Sequence, residues 1–160
     1  SRCNSKVIIC GVGKSGIIAS KISATLSSVG TPSFSISAND CSHGDLGRIT
    51  SQDILILISY SGKTDELKNI IKYAKQNKIL LIGIVSNKDS ILYKSSNIKL
   101  LIPEVEESGY GIAPTSSDLP VISGTVIKVP WFVECFNHFK VKNTNTKSAT
   151  AAIINCLKKN

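Results

Sequence analysis

The chain is poor in arginine. Arg2 and Arg48 are the only two, so the rest of its 19 basic residues, and most of its formal charge of +8, come from lysine. Those lysines are spread along the chain, densest in "FKVKNTNTKS" and "LKKN", and aromatics make up only 6%. A nucleic-acid surface needs basic residues clustered on one face, so no nucleic-acid partner is expected. Cysteine is sparse and unordered. Cys3, Cys10, Cys41, Cys135 and Cys156 are odd in number and form no C-x-x-C. That argues against a disulfide framework and a metal site, and for a reducing cytoplasm. No apolar run approaches bilayer-spanning length, so no membrane partner is expected. The start, "SRCNSKVIIC", is polar and then strand-like, unlike a signal peptide. The 160 residues are read as a single domain, 1–160.

What is present begins with "VIICGVGKSGIIASK", Val7 to Lys21. An apolar run stops at Gly11-Val12-Gly13-Lys14-Ser15-Gly16, and a helical pattern follows. A nucleotide P-loop needs a glycine five residues before Gly13, and that position is Ile8. The spacing does fit G-x-G-x-x-G. Yet Asp40 is the first acid available for a dinucleotide's ribose, and it comes late. What survives is an anion near a helix N-terminus, where free N–H groups and the helix dipole favour negative charge.

Strand and helix patterns then alternate. Residues 6–10, 33–37, 53–59, 79–86 and 98–102 read as strands. Residues 15–29 read as a helix with Ile18, Ile22, Leu26 and Val29 on one face. Residues 64–76 form a second, with Thr64 as N-cap, and 89–96 a short third. This alternation predicts a three-layer α/β sandwich, a parallel sheet of about five strands flanked by helices. After about residue 120 the pattern weakens. A short helix over 131–139, a linker over 142–148 and a final helix with Ala149, Ala152, Ile153, Cys156 and Leu157 as its stripe are expected.

In such a sheet, ligands bind beyond the strand C-termini. The loop Ser59-Tyr60-Ser61-Gly62-Lys63-Thr64 also enters a helix there. Its hydroxyls suit a phosphate monoester better than a dinucleotide.

These loops, together with "SHGDLG" at 42–47 and "APTSS" at 113–117, resemble the sugar isomerase (SIS) family, and within it the arabinose 5-phosphate isomerases without CBS domains. The likeness covers about residues 6–117. It implies reversible conversion of ribulose 5-phosphate to arabinose 5-phosphate, a precursor step toward lipopolysaccharide, with no cofactor. It implies a sugar-phosphate partner and a homo-oligomer, dimer or tetramer. The family's catalytic residues fall on Lys14, His43, Glu66 and Glu106, and its substrate-binding residues on Gly13, Ser15, Ser59, Ser61, Thr64, Thr115 and Ser116. Isomerisation moves a proton between C1 and C2 through an enediolate. Glu66 or Glu106 would be the base. His43 would shuttle protons or open the ring. Lys14 would stabilise the enediolate or hold phosphate. After Ser117 comes Asp118-Leu119-Pro120, and the family's Ser-His-Pro-Gly-Gly string is not found in 118–160. The alternative is therefore a non-catalytic module that binds a sugar phosphate or nucleotide sugar.

Overall fold

A computed structural model describes residues 5–41 and 44–102 of the chain. The helices expected at 131–139 and from 149 onward, and the linker at 142–148, lie outside them.

Five parallel strands form one sheet in the order β2-β1-β3-β4-β5. The strands are β1 (Val7–Gly11), β2 (Ser33–Ser37), β3 (Ile54–Ile58), β4 (Leu80–Val85) and β5 (Ile98–Leu101). Helix α1 (Lys14–Ser28) follows β1, α3 (Glu66–Gln76) follows β3, and the short α4 (Ile91–Ser95) follows β4. Between β2 and β3 lie a four-residue helix, α2 (Ala38–Cys41), and a single 3₁₀ turn, Asp45–Arg48.

The central strands are continuous apolar runs because both of their faces are covered. In β1, Val7 and Ile9 pack under Ile18, Ala19, Ile22 and Leu26 of α1. Their neighbours Ile8 and Cys10 point the other way, to Leu67, Ile70, Ile71 and Ala74 of α3. Every residue of β1, β3 and β4 is buried. Each fully buried Leu or Ile of this kind contributes about 1.5–3 kcal/mol. Parallel pairing demands this cover, since crossover helices must run over the sheet faces.

Val29 departs from the expected stripe. The helix ends at Ser28, and Val29 is 49% exposed. Thr31 N–H donates to the Leu26 carbonyl at 2.9 Å and Gly30 N–H to the Ser27 carbonyl at 3.0 Å. These are the paired bonds of a Schellman ending, which turn the chain away before Val29 can face the core.

At the N-terminal end of the strands, Asp53 ties β1 to β3. Its Oδ1 accepts from Lys6 N–H at 3.0 Å, and its Oδ2 from Lys6 Nζ at 3.0 Å. Thr50 donates its N–H (2.7 Å) and hydroxyl (2.8 Å) to the same Oδ2. Burial of Asp53 works to raise its pKa, but the bonds from Thr50 and Lys6 outweigh it and hold the carboxyl below its ordinary value of 3.8.

Candidate functional site

The strand order reverses between β1 and β3. From β1 the chain moves outward to β2, then returns past β1 to β3. At such a switch point the two outgoing loops diverge to opposite faces and leave a crevice beyond the strand ends. Gly11, the end of β1, is in register with Ile58, the end of β3. The two loops singled out in the sequence therefore start side by side.

The first loop is shaped by close approach. A Cβ on Gly11 would lie 2.6 Å from the carbonyl carbon of Ser15, so only glycine lets the first turn of α1 sit against the strand end. Gly13 precedes the helix at φ 57°. Its carbonyl accepts from the N–H groups of Gly16 (3.0 Å) and Ile17 (3.3 Å). Lys14 opens α1 exposed, and Ser15 is buried beneath it. No acid occupies the first turn of α1, which leaves its positive end to a ligand anion. Beside the loop lies a cleft of about 270 Å³ lined by Gly11, Gly13, Gly16, Ile17, Ser20, Ser35, Ile36 and Ser37. Gly11 is thus spent on helix–strand packing, and Gly13 on its positive φ. Strand β2 ends in Ser37, and Asp40 lies in α2, so no acid stands where a dinucleotide's ribose would need one.

The second loop is held by its own hydroxyls. Ser59 is 5% exposed, and its Oγ accepts from Gly62 N–H at 3.0 Å. It also lies 3.0 Å from the Thr64 Oγ1. Thr64 was expected to cap α3 with its side chain. Instead its hydroxyl pairs with Ser59, the residue before the helix is Asp65, and no side chain caps the helix. The Thr64 carbonyl still accepts from Leu67 N–H at 3.2 Å, which begins the turn. Ser61 is exposed and its Oγ accepts from Lys63 N–H at 3.3 Å. Glu66 is exposed in the first turn of α3, while Asp65 pairs with Lys68 at 2.6 Å.

Gly13, Lys14, Ser15, Ser59, Ser61, Thr64 and Glu66 therefore all lie at the C-terminal end of the sheet, on the loops that flank the switch point. His43, Glu106, Thr115 and Ser116 lie outside the described residues. The structure adds Lys63, an exposed second cation in the β3–α3 loop, and Ser86, which supports that loop from the next one. Lys63 was visible in sequence, but Ser86 belongs to another loop and carries no local signal. A further cleft of about 530 Å³, lined by Lys6, Thr50, Ser51 and Gln52, lies at the opposite end of the sheet, where no strand feeds a helix N-terminus. Among the described residues, no helix is long and apolar enough to cross a membrane.

A parallel α/β sheet with two glycine- and hydroxyl-bearing loops, and a lysine on each, at its switch point is an arrangement suited to an anion such as a phosphate ester. Residues 2–122 match the SIS domain family, and the chain belongs to it. It is 47% identical over 117 residues to the arabinose 5-phosphate isomerase KdsD of Yersinia pestis, covering 72% of this chain and 36% of that protein. It is 44% identical over 118 residues to the KdsD of Francisella tularensis, covering 73% of this chain and 36% of that protein. The chain thus spans little more than a third of these curated relatives. An Escherichia coli CFT073 protein solved in complex with arabinose 5-phosphate matches with a TM-score of 0.75 and 36% identity, over 85% of this chain and 72% of that one.

Proposed function

We propose that this chain carries the sugar-phosphate site of an isomerase interconverting ribulose 5-phosphate and arabinose 5-phosphate. The observation that carries the reading is the pairing of two anion-suited loops at the switch point, in a chain similar to proteins named for that activity and to one solved with arabinose 5-phosphate. The phosphate sits against the Ser61–Thr64 loop and the N-terminus of α1, near the exposed Lys63. The sugar extends so that its C1–C2 unit meets a carboxylate, Glu66 or Glu106. That group removes one carbon-bound proton and returns it to the neighbouring carbon. Lys14 stabilises the negative charge on the enediolate oxygens, and His43 moves a proton between them. No cofactor is required by this chemistry. The same reading places the protein in the cytoplasm, upstream of lipopolysaccharide assembly.

The test is to incubate the protein with ribulose 5-phosphate and follow aldose formation by NMR. Turnover is expected, and replacing the base by Gln should lower it about 100-fold or more. Glu66→Gln and Glu106→Gln, tested separately, should divide into a severe and a mild defect. Unchanged rates in both variants and in His43→Ala would overturn the assignment. Binding of the sugar phosphate without turnover would favour a non-catalytic module.

A further inference from the structure

The loop after β4 grips the Ser59–Thr64 loop from behind. Ser86, directly after β4, donates both its N–H (3.0 Å) and its hydroxyl (2.7 Å) to the carbonyl of Tyr60. Leu92 N–H, from the first turn of α4, donates to the carbonyl of Gly62 at 3.3 Å. Between these two anchors Ser90 is fully buried. Its Oγ accepts from Tyr93 N–H at 3.2 Å and donates to the Asn87 carbonyl at 2.7 Å. Ser90 also packs against the bare Cα of Gly62, since a Cβ there would lie 2.6 Å from the Ser90 Cβ. The carbonyls on either side of Ser61 are thus both fixed to the β4–α4 connection.

A trans peptide is planar, with its C=O and N–H pointing in opposite directions. No described peptide is cis. The Tyr60 carbonyl and the Ser61 N–H belong to one such unit. Drawing that carbonyl down onto Ser86 turns the Ser61 N–H away from the β4–α4 connection, toward the open side of the loop. There a backbone N–H is a strong donor to a phosphate oxygen.

We propose that Ser86 is a positioning residue: by fixing the Tyr60 carbonyl, its hydroxyl aims the Ser61 N–H at the anion held by this loop. The inference rests on the sugar-phosphate reading of the site for its ligand, though not for its geometry. A misaimed Ser61 N–H loses up to one hydrogen bond to the ligand, roughly 0.5–1.5 kcal/mol, which is about 2- to 10-fold in affinity.

The experiment compares the wild type with Ser86→Ala, Ser86→Thr and Tyr73→Phe. The last removes a hydroxyl bond to the Ile49 carbonyl away from the loop and controls for general destabilisation. Two readouts are taken: calorimetric titration with arabinose 5-phosphate, and the NMR shift and hydrogen-exchange rate of the Ser61 amide without ligand. Ser86→Ala should weaken binding about 3-fold or more and move the Ser61 amide signal. Ser86→Thr should restore both, and Tyr73→Phe should change neither. Equal affinity in Ser86→Ala and wild type, or an equal loss in Tyr73→Phe, would overturn the proposal. A wild type that binds no sugar phosphate would refute the functional reading alone. An unmoved Ser61 amide in Ser86→Ala would then refute the positioning as well, and a moved one restored by threonine would uphold it.

Discussion

Lys78 sits where glycine is usually found. Its φ is 55°, and among the described residues it is the one non-glycine residue with positive φ. The reason lies at the end of α3. Ile79 N–H donates to the Ala74 carbonyl at 2.9 Å and Lys78 N–H to the Lys75 carbonyl at 3.3 Å, a second Schellman ending with a left-handed residue at its centre. A side chain in that conformation costs about 1–2 kcal/mol. Lys78→Gly relieves that strain and gives back part of it through the freer unfolded chain. A net gain of about 0.5–1 kcal/mol is expected, read as a higher denaturant midpoint, and a lower midpoint would refute the strain. Gly62 is the reverse case, with φ 63° and the Ser90 side chain filling the space a Cβ would need. Gly62→Ala should destabilise by more than about 1 kcal/mol, and it should weaken sugar-phosphate binding because it displaces the loop. A variant as stable as the wild type on chemical denaturation would contradict this packing.

At the scale of elements, Asp53 joins the start of β3 to the residues before β1 through four bonds from Lys6 and Thr50. Its folded pKa is depressed, so its contribution is present above the ordinary value of 3.8 and is lost as pH falls through the lower folded value. Stability should therefore stay level through neutral pH and drop below about pH 4. Asp53→Asn should cost about 1–3 kcal/mol at pH 7 and flatten that acid drop. A mutant with the wild-type acid profile would assign the drop to other groups. The elements differ in how legible they were. β3 and β4 could be read directly, because burial on both faces demands the unbroken apolar runs of Ile54–Ile58 and Leu80–Val85. The four-residue α2 and the 3₁₀ turn at Asp45–Arg48 are too short to carry a periodic signal. The partner of Thr64 was also hidden. A hydroxyl beside a helix start can bond the backbone or another side chain, and here the folding of the loop brought Ser59 within 3.0 Å.

At the scale of the whole molecule, the placing of both loops at one sheet end was legible from strand–helix alternation alone, since parallel topology sends every strand-to-helix loop to the same edge. Which two loops adjoin was not, because strand order depends on long-range pairing: β1 lies between β2 and β3. His43 and Glu106 remain expectations drawn from the resemblance. So does assembly. A homo-oligomer is expected, with a mass near two or four times 17.1 kDa by light scattering at tens of micromolar protein (about the range in which standard interfaces hold). A species of 17.1 kDa would contradict it.

Sugar phosphate is proposed to bind at the switch point between β1 and β3, and amide NMR during titration with arabinose 5-phosphate is the decisive test. Saturable shifts centred on Gly13–Ser15 and Ser61–Thr64 are predicted. Shifts centred instead on Lys6 and Thr50–Gln52 at the opposite sheet end, or none at all, would contradict it.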